Sequence, residues 1–319
     1  MNKKSIWDQF SFFISSVHTQ HFLASCYQAL EVPEWDKRSY ENCFPFIYYL
    51  EHGKNYYILA KQAPLSIKPV LLFYGMIQLL KACLLTVDPN YPESTTLLAH
   101  GVTTRKRKKQ DYSFLLDEVK IQKNGLFTHA ADKLFHIKYL EGEKYTMDSL
   151  LHRIAELYEL YSYSKKEPSL LKVTRINHTN VSIPSAVLDQ FHMTEQRFRE
   201  YIVASCSHLH LIPVKEMIFE MTAPWNGFNC SPLLYDIYQD SYFVPPTRSM
   251  MTVFPEVMSH YLILYNLSMI CRYETEWWSE LLRNYNSEDY PYIFQFLSIS
   301  SEKIPYYFYL YLFQLIHNK

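Results

Sequence analysis

Lys68-Pro69-Val70-Leu71-Leu72-Phe73-Tyr74-Gly75-Met76-Ile77-Gln78-Leu79-Leu80-Lys81-Ala82-Cys83-Leu84-Leu85-Thr86-Val87 is apolar on almost every side. A helix that is hydrophobic all round belongs in a membrane or inside a protein core. The stretch nearly reaches the length of a membrane span. Gln78 and Lys81 stand in its middle and C-terminal half, and a lysine near the centre of a span costs about 2.5–3.5 kcal/mol on insertion. No second segment combines that length with that apolarity. The sequence therefore predicts one central buried helix and no membrane partner.

Working outward, Pro64 and Pro69 bracket the turn into this helix, and Asp88-Pro89 ends it. Upstream, residues 16–30 have helical spacing with Phe22, Cys26 and Ala29 on one stripe, stopped by Pro33. Residues 41–62 predict a second helix carrying Phe46, Tyr49, Leu50, Tyr57 and Ala60. Downstream, a short helix is expected over 92–99. In 112–123 the period switches: Val119, Ile121 and Lys123 alternate with Lys120 and Gln122, and Lys123-Asn124-Gly125 is a turn signal. Helical pattern returns at 128–136 and at 146–163, where Leu150, Ile154, Leu157 and Tyr161 recur. Lys165-Lys166-Glu167-Pro168 reads as a linker. Beyond it, 172–183 alternates like a strand, 185–206 looks helical, and 208–213 looks like strand again. Residues 255–283 form the longest helical segment, and 304–317 a final helix. The fold class is mostly α, tending to α+β, a helical bundle with a small inserted β element. Two lobes are expected: residues 1–165, helical with a basic loop, and residues 166–319, mixed α+β and helical.

The chain has 319 residues, of which 48% are hydrophobic, enough for a large core. Its 31 Lys and Arg against 32 Asp and Glu give a formal net charge of −1. Contact with a polyanion must then be local rather than through bulk charge. Only six glycines occur, where average usage would give roughly 22. Neither G-x-G-x-x-G nor G-x-x-x-x-G-K-[ST] is present, which disfavours dinucleotide and P-loop folds. Tyr and Phe are plentiful, at 28 and 20. Cys26, Cys43, Cys83, Cys206, Cys230 and Cys271 are scattered, with no C-x-x-C, and read as reduced, buried small hydrophobes. The start, Met1-Asn2-Lys3-Lys4-Ser5-Ile6-Trp7-Asp8, has no apolar signal region behind its lysines, so a cytoplasmic location is expected.

Arg105-Lys106-Arg107-Lys108-Lys109 puts five positive charges in five residues. Arg offers a planar donor fork and Lys a mobile charge, so the cluster suits phosphates; a solvated basic loop is the alternative. His100-Gly101 leads directly into it, and a histidine there can donate to an anion or move a proton near neutral pH. The candidate anion site is thus His100, Arg105, Arg107, Lys108 and Lys109. His129, Asp132 and His136 share a helix face, and His208 and His210 a strand face, but no H-E-x-x-H or Cys partner supports a metal at either. No G-x-S-x-G or Cys–His signature is present, and Glu274/Glu276 and Glu288/Asp289 read as solvated carboxylates. Of the adjacent Trp277 and Trp278, at least one is expected in the core. No catalytic residue, metal or cofactor is expected.

The ordered set Lys68-Pro69, Phe73-Tyr74-Gly75, Leu80-Lys81-Ala82, Ala99-His100-Gly101, Arg105 to Gln110 and Lys123-Asn124-Gly125-Leu126-Phe127 resembles the YaaC family of Bacillus-type bacteria. The resemblance is dense over residues 10–130 and weaker towards the C-terminus. It implies a cytosolic bacterial protein. The family's gene commonly lies beside that of IMP dehydrogenase, which implies a purine nucleotide or that enzyme as partner. The paired helices also look like HEPN-type domains, some of them ribonucleases, whose hallmark is Arg, four to six residues, then His. Arg175 to His178 is too close for it and Arg199 to His208 too far, so that catalytic pattern does not carry over. The expected function is a non-enzymatic regulatory or binding protein that recognises a purine-nucleotide-like anion or a partner enzyme of purine metabolism. RNA is a less favoured ligand. The alternatives are a HEPN-like phosphodiesterase or ribonuclease, and a structural protein–protein interaction module.

Overall fold

The computed structural model describes residues 5–104, 112–165, 169–205, 211–221, 228, 230–251, 254–284 and 287–317. The chain opens with a single turn, α1 (Ile6–Gln9), capped by Ser5 and Asp8. Three helices follow: α2 (Ser16–Ala29), α3 (Trp35–Gln62) and α4 (Lys68–Leu85). A first sheet is built from β1 (Val102–Thr104), β2 (Glu118–Ile121) and β3 (Lys144–Thr146), with α5 (Leu126–Phe135) between the last two. Next come α6 (Met147–Leu151), a 3₁₀ turn at Ala155–Leu157 and α7 (Tyr158–Lys165).

A second sheet takes β4 (Leu171–Arg175), β5 (Asn180–Ser182), β6 (Leu211–Lys215), β7 (Ile218–Met221), β8 (Leu234–Asp236) and β9 (Ser241–Val244). Between β5 and β6 lie α8 (Ala186–Phe191) and α9 (Glu195–Ser205). The chain closes with α10 (Glu256–Tyr273), α11 (Thr275–Asn284) and α12 (Asp289–His317).

The all-round apolar stretch is α4, and it is a core helix. It has the length and composition of a span, but 67% of it is buried inside the protein. α3, α10, α12 and α5 pack around it. Leu72, Phe73, Met76, Leu79, Leu80, Cys83 and Leu84 are wholly buried. Two glycines set its distance from α3. A Cβ on Gly75 would stand 2.8 Å from ring carbons of Tyr57, and one on Gly53 would stand 2.8 Å from Leu79 Cδ2. Each helix thus accepts a large side chain of the other into a notch that only glycine leaves open.

Mostly α with some β is the observed class, but the inserted β element is larger than expected. Both sheets are antiparallel, in the orders β1-β2-β3 and β6-β7-β5-β4-β9-β8. Val119 and Ile121 are buried and pair with Thr104 and Val102, as their alternation predicts. Strands β1, β3 and β8 are three residues each, too short to show a period in sequence. The predicted strand 208–213 begins outside the described residues and is seen as β6.

Several predicted helices are divided. The 185–206 segment breaks at His192, whose left-handed φ of 51° caps α8. The 255–283 segment breaks at Glu274, between α10 and α11. The 146–163 segment becomes α6, the 3₁₀ turn and α7, with Leu150, Ile154, Leu157 and Tyr161 buried as expected. Conversely, α12 starts well before residue 304. It accepts Pro291 in its first turn, where a proline loses no hydrogen bond, and carries Pro305 inside. The 92–99 helix is a 3₁₀ turn at Thr95–Leu98. On α2, Ala29 is exposed; the buried stripe is Thr19, Phe22, Leu23 and Tyr27.

The expected lobe boundary at 165/166 adjoins residues outside the description, and one hydrophobic core runs across that point, since α10 and α12 pack on α4. No disulfide joins the described cysteines, Cys26, Cys43, Cys83, Cys230 and Cys271, to one another.

Two substitutions test the enclosure of α4. Leu72→Ala is expected to cost about 2–5 kcal/mol through the cavity it leaves. Gly75→Ala is expected to cost about 1–3 kcal/mol by driving a methyl into Tyr57. Denaturant titration with an unchanged slope measures both. A loss under about 0.5 kcal/mol for either, the size of a surface substitution, would contradict the packing.

Candidate functional site

His100 is positioned by a backbone clasp. Ala99-His100-Gly101 runs beside Gly125-Leu126-Phe127, with Leu126 N–H donating to the Ala99 carbonyl at 2.7 Å and Phe127 N–H to the His100 carbonyl at 3.2 Å. The Tyr261 hydroxyl donates to that same His100 carbonyl at 2.9 Å. Gly101 and Gly125 take φ of +77° and +136°, and a Cβ on Gly125 would collide with the Gly101 backbone. Two short motifs far apart in sequence are therefore each other's structural partner, and glycine is required where they cross.

The clasp fixes the backbone and leaves the imidazole half-buried against a wall of rings. Phe73, Tyr74 and Tyr265 meet it edge-on at centroid distances of 5.0, 6.1 and 5.7 Å. Among the described residues neither ring nitrogen has a hydrogen-bond partner. Two cations flank this wall. Lys81 lies two turns along α4 from Tyr74, and Arg272 two turns along α10 from Tyr265, so both helices use the same i, i+7 spacing. Cys271 and Trp278 pack at the start of α4, so α10 runs antiparallel to it and the cations diverge to opposite ends of one strip.

No described carboxylate pairs with either cation. Lys81 stands over the Tyr49 ring at 5.6 Å, and burial lowers its ammonium pKa. Arg272 donates to the Ser268 carbonyl at 2.9 Å and lies over the Tyr273 ring at 5.1 Å. Burial, then the charges of Arg272 and Lys81, hold the His100 pKa below its ordinary value. The strip thus offers a neutral imidazole between two positive charges with aromatic faces beside them. Such a surface can hold an anion that carries a flat apolar group.

Of the sequence-predicted site, His100 lies on this strip, while Arg105, Arg107, Lys108 and Lys109 lie outside the described residues, as do His208 and His210. The helix-face trio is separated. His129 Nε2 pairs with Asp88 Oδ2 at 2.8 Å, Asp132 with Lys138 at 3.7 Å, and His136 caps α5. No group of three His, Cys, Asp or Glu suited to a metal exists among the described residues. Asp289, read as a solvated carboxylate, is buried: it accepts from the N–H groups of Phe114 and Leu115 and from the Ser113 hydroxyl. Trp278 is the buried indole, donating to the Ser66 carbonyl at 3.1 Å, and Trp277 meets Tyr112 edge-on. Lys81 and Arg272 were missed as site residues. Their signal was a basic residue at a half-buried position in the C-terminal part of an otherwise apolar helix, repeated on two helices.

A second charged cluster is closed. Lys303 donates to Glu156 Oε2 at 2.7 Å, to the Tyr235 carbonyl at 2.6 Å and to Glu256. Tyr307 donates to Glu256 at 3.2 Å, and His260 touches Glu256 and Ser300. All of these side chains are buried to within a few per cent, so they form an internal network rather than a ligand surface.

A family model described as YaaC-like Protein matches residues 11–312. No curated protein and no solved structure matches the chain.

The electrostatics of the strip can be read directly by NMR. The His100 pKa is lower in the folded chain than its ordinary 6.5, so on acidification the unfolded chain takes up the proton first. Stability contributed by the neutral ring is therefore full above 6.5 and declines as pH falls through 6.5 towards the folded value. Ring resonances of His100 should titrate below 6.5, and Arg272→Gln should move the midpoint upward. A wild-type midpoint at or above 6.5 would contradict the arrangement.

Proposed function

The chain belongs to the YaaC-like family, and we propose that it is a non-enzymatic, cytoplasmic regulatory protein that binds a purine-nucleotide-like anion on the His100 strip. One observation carries the reading: Lys81 and Arg272 flank a half-buried neutral imidazole without any described carboxylate to neutralise them. A phosphate group satisfies such cations, and the rings of Tyr74 and Tyr265 offer apolar contact to a base. The cationic run Arg105, Arg107, Lys108 and Lys109 follows β1 directly in sequence and is proposed to add to the same charge. The purine identity and the proposed partner, IMP dehydrogenase, rest on the family resemblance.

A thermal-shift screen against purine nucleotides tests the proposal. A ligand at about 100 times its Kd should stabilise the fold by about 2.7 kcal/mol. Lys81→Gln with Arg272→Gln should abolish the shift while leaving the unliganded melting point nearly unchanged. Replacing Arg105, Arg107 and Lys109 with Gln should weaken binding and its salt dependence. Undiminished binding by the strip variant would remove the strip from consideration. Cleavage of labelled RNA that is lost in His100→Ala would replace the binding reading with a phosphodiesterase.

A further inference from the structure

The outer face of α3 carries a row of aromatic side chains that no described residue covers. Tyr40, Phe44 and Tyr48 recur every four residues and are 67%, 50% and 55% exposed. The rings of Phe44 and Tyr48 lean together at 6.1 Å. The opposite face of the same helix buries Phe46, Leu50 and Tyr57, so the outer row is surplus to the core. On α2 the Ser16 carbonyl accepts from the Cys43 thiol at 3.2 Å, and the neighbouring Val17, 60% exposed, extends the apolar surface.

We propose that this face is a homodimer interface, with α3 crossing the α3 of a second copy about a two-fold axis at Phe44. Three features select a second copy over another partner. First, residues spaced by four form the ridge used in the commonest helix crossing, at about −50°, and a row centred on Phe44 is self-complementary: Tyr40 meets the partner's Tyr48, and Tyr48 the partner's Tyr40.

Second, two charges at the ends of that row are complementary, although Lys37 also stands 3.9 Å from Glu34 of its own chain. Lys37 and Glu51 are both exposed and stand equally far from Phe44 in opposite directions. The two-fold operation brings Lys37 towards the partner's Glu51, and does so twice. A face meant for a basic or an acidic partner would carry one sign. Third, the area is sufficient. At about 200 Å² per aromatic side chain the three rings expose roughly 350 Å² in each chain. Two copies would bury about 700 Å² from these rings alone. Since apolar atoms make up about 56–65% of an interface, the whole contact comes to about 1,200 Å², the lower bound for a specific, stable one. The ligand strip is formed by His100 with residues of α4 and α10 and uses none of Tyr40, Phe44 and Tyr48, so this inference is independent of the proposed ligand.

Sedimentation velocity on the full chain between about 1 and 100 μM tests it. The wild type should shift from monomer to dimer with concentration. Phe44→Asp should be monomeric throughout, with an unchanged far-UV CD spectrum. Lys37→Glu and Glu51→Lys should each weaken the dimer about 5–10-fold by opposing like charges, and the double variant should recover most of the wild-type constant. A wild type that stays monomeric overturns the proposal. So does a dimer indifferent to Phe44→Asp, or a charge swap that fails to restore association when both single reversals weaken it.

Discussion

The enclosure of α4 is the constraint from which the rest of the architecture follows. A helix apolar on every side has no stable position at a surface, because each exposed leucine forgoes about 1.5–3 kcal/mol of burial. It needs neighbours all round. The chain supplies one from the preceding hairpin, where α3 lies in register through the Gly53 and Gly75 notches. It supplies two more from its far end, where α10 and α12 return to cover the remaining sides. In sequence both sheets fall between α4 and α10. The fold is therefore closed by contacts of long sequence separation, and the N-terminal hairpin alone would leave uncovered the sides of α4 on which α10 and α12 pack.

That closure also makes the candidate site. α10 meets α4 through Phe73, Tyr261 and Tyr265. The same tyrosine that packs on Phe73 donates its hydroxyl to the carbonyl of His100. The strip consequently joins two deeply packed helices to the loop that carries His100, and the Tyr261 hydroxyl and the Phe73 ring hold that loop against the core. The polar edge positions of both helices, Tyr74, Lys81 and Arg272, are where the enclosure stops.

How much of this was legible in the sequence depended on how local the cause was. α4 was legible because its apolarity is complete, and α3 because Phe46, Leu50 and Tyr57 repeat at helical spacing. β2 was legible from the alternation of Val119 and Ile121. The extent of α12 was hidden by two prolines, which the helix accommodates once Asp289 and the surrounding packing fix its start. The six-stranded sheet was largely hidden because its strands are short and several of its residues, such as Leu234, Tyr235 and Asp236 in β8, are buried without alternation. For the site, His100 was legible as a residue but not in its setting. Lys81 drew notice as an obstacle to membrane insertion and Arg272 as one member of a helical row. Only the antiparallel pairing of α4 with α10 brings them to one surface, and nothing in either segment encodes that pairing locally.

α10 itself gives the clearest contrast between charge used inside and charge left for something outside. Near its N-terminal end Glu256 is held in a buried network. Burial would raise the carboxyls of both Glu256 and Glu156. At Glu256 the Lys303 ammonium and the His260 contact prevail and its pKa is lowered; at Glu156 burial prevails and its pKa is raised. Burial would discharge Lys303, but the two carboxylates keep its pKa raised. Such a network gains little stability over an apolar core, and its natural role is to fix one arrangement. Here it ties β8, through the Tyr235 carbonyl and the Ile237 N–H, to the helices that enclose α4. At the other end of α10, where the helix dipole favours a cation, Arg272 has no carboxylate at all among the described residues. One end of α10 thus engages its carboxylate with a buried ammonium, whereas at the other end a guanidinium, with the Lys81 ammonium on α4, has no described carboxylate beside it. The anion proposed above as ligand is the kind of group that would complement those two charges.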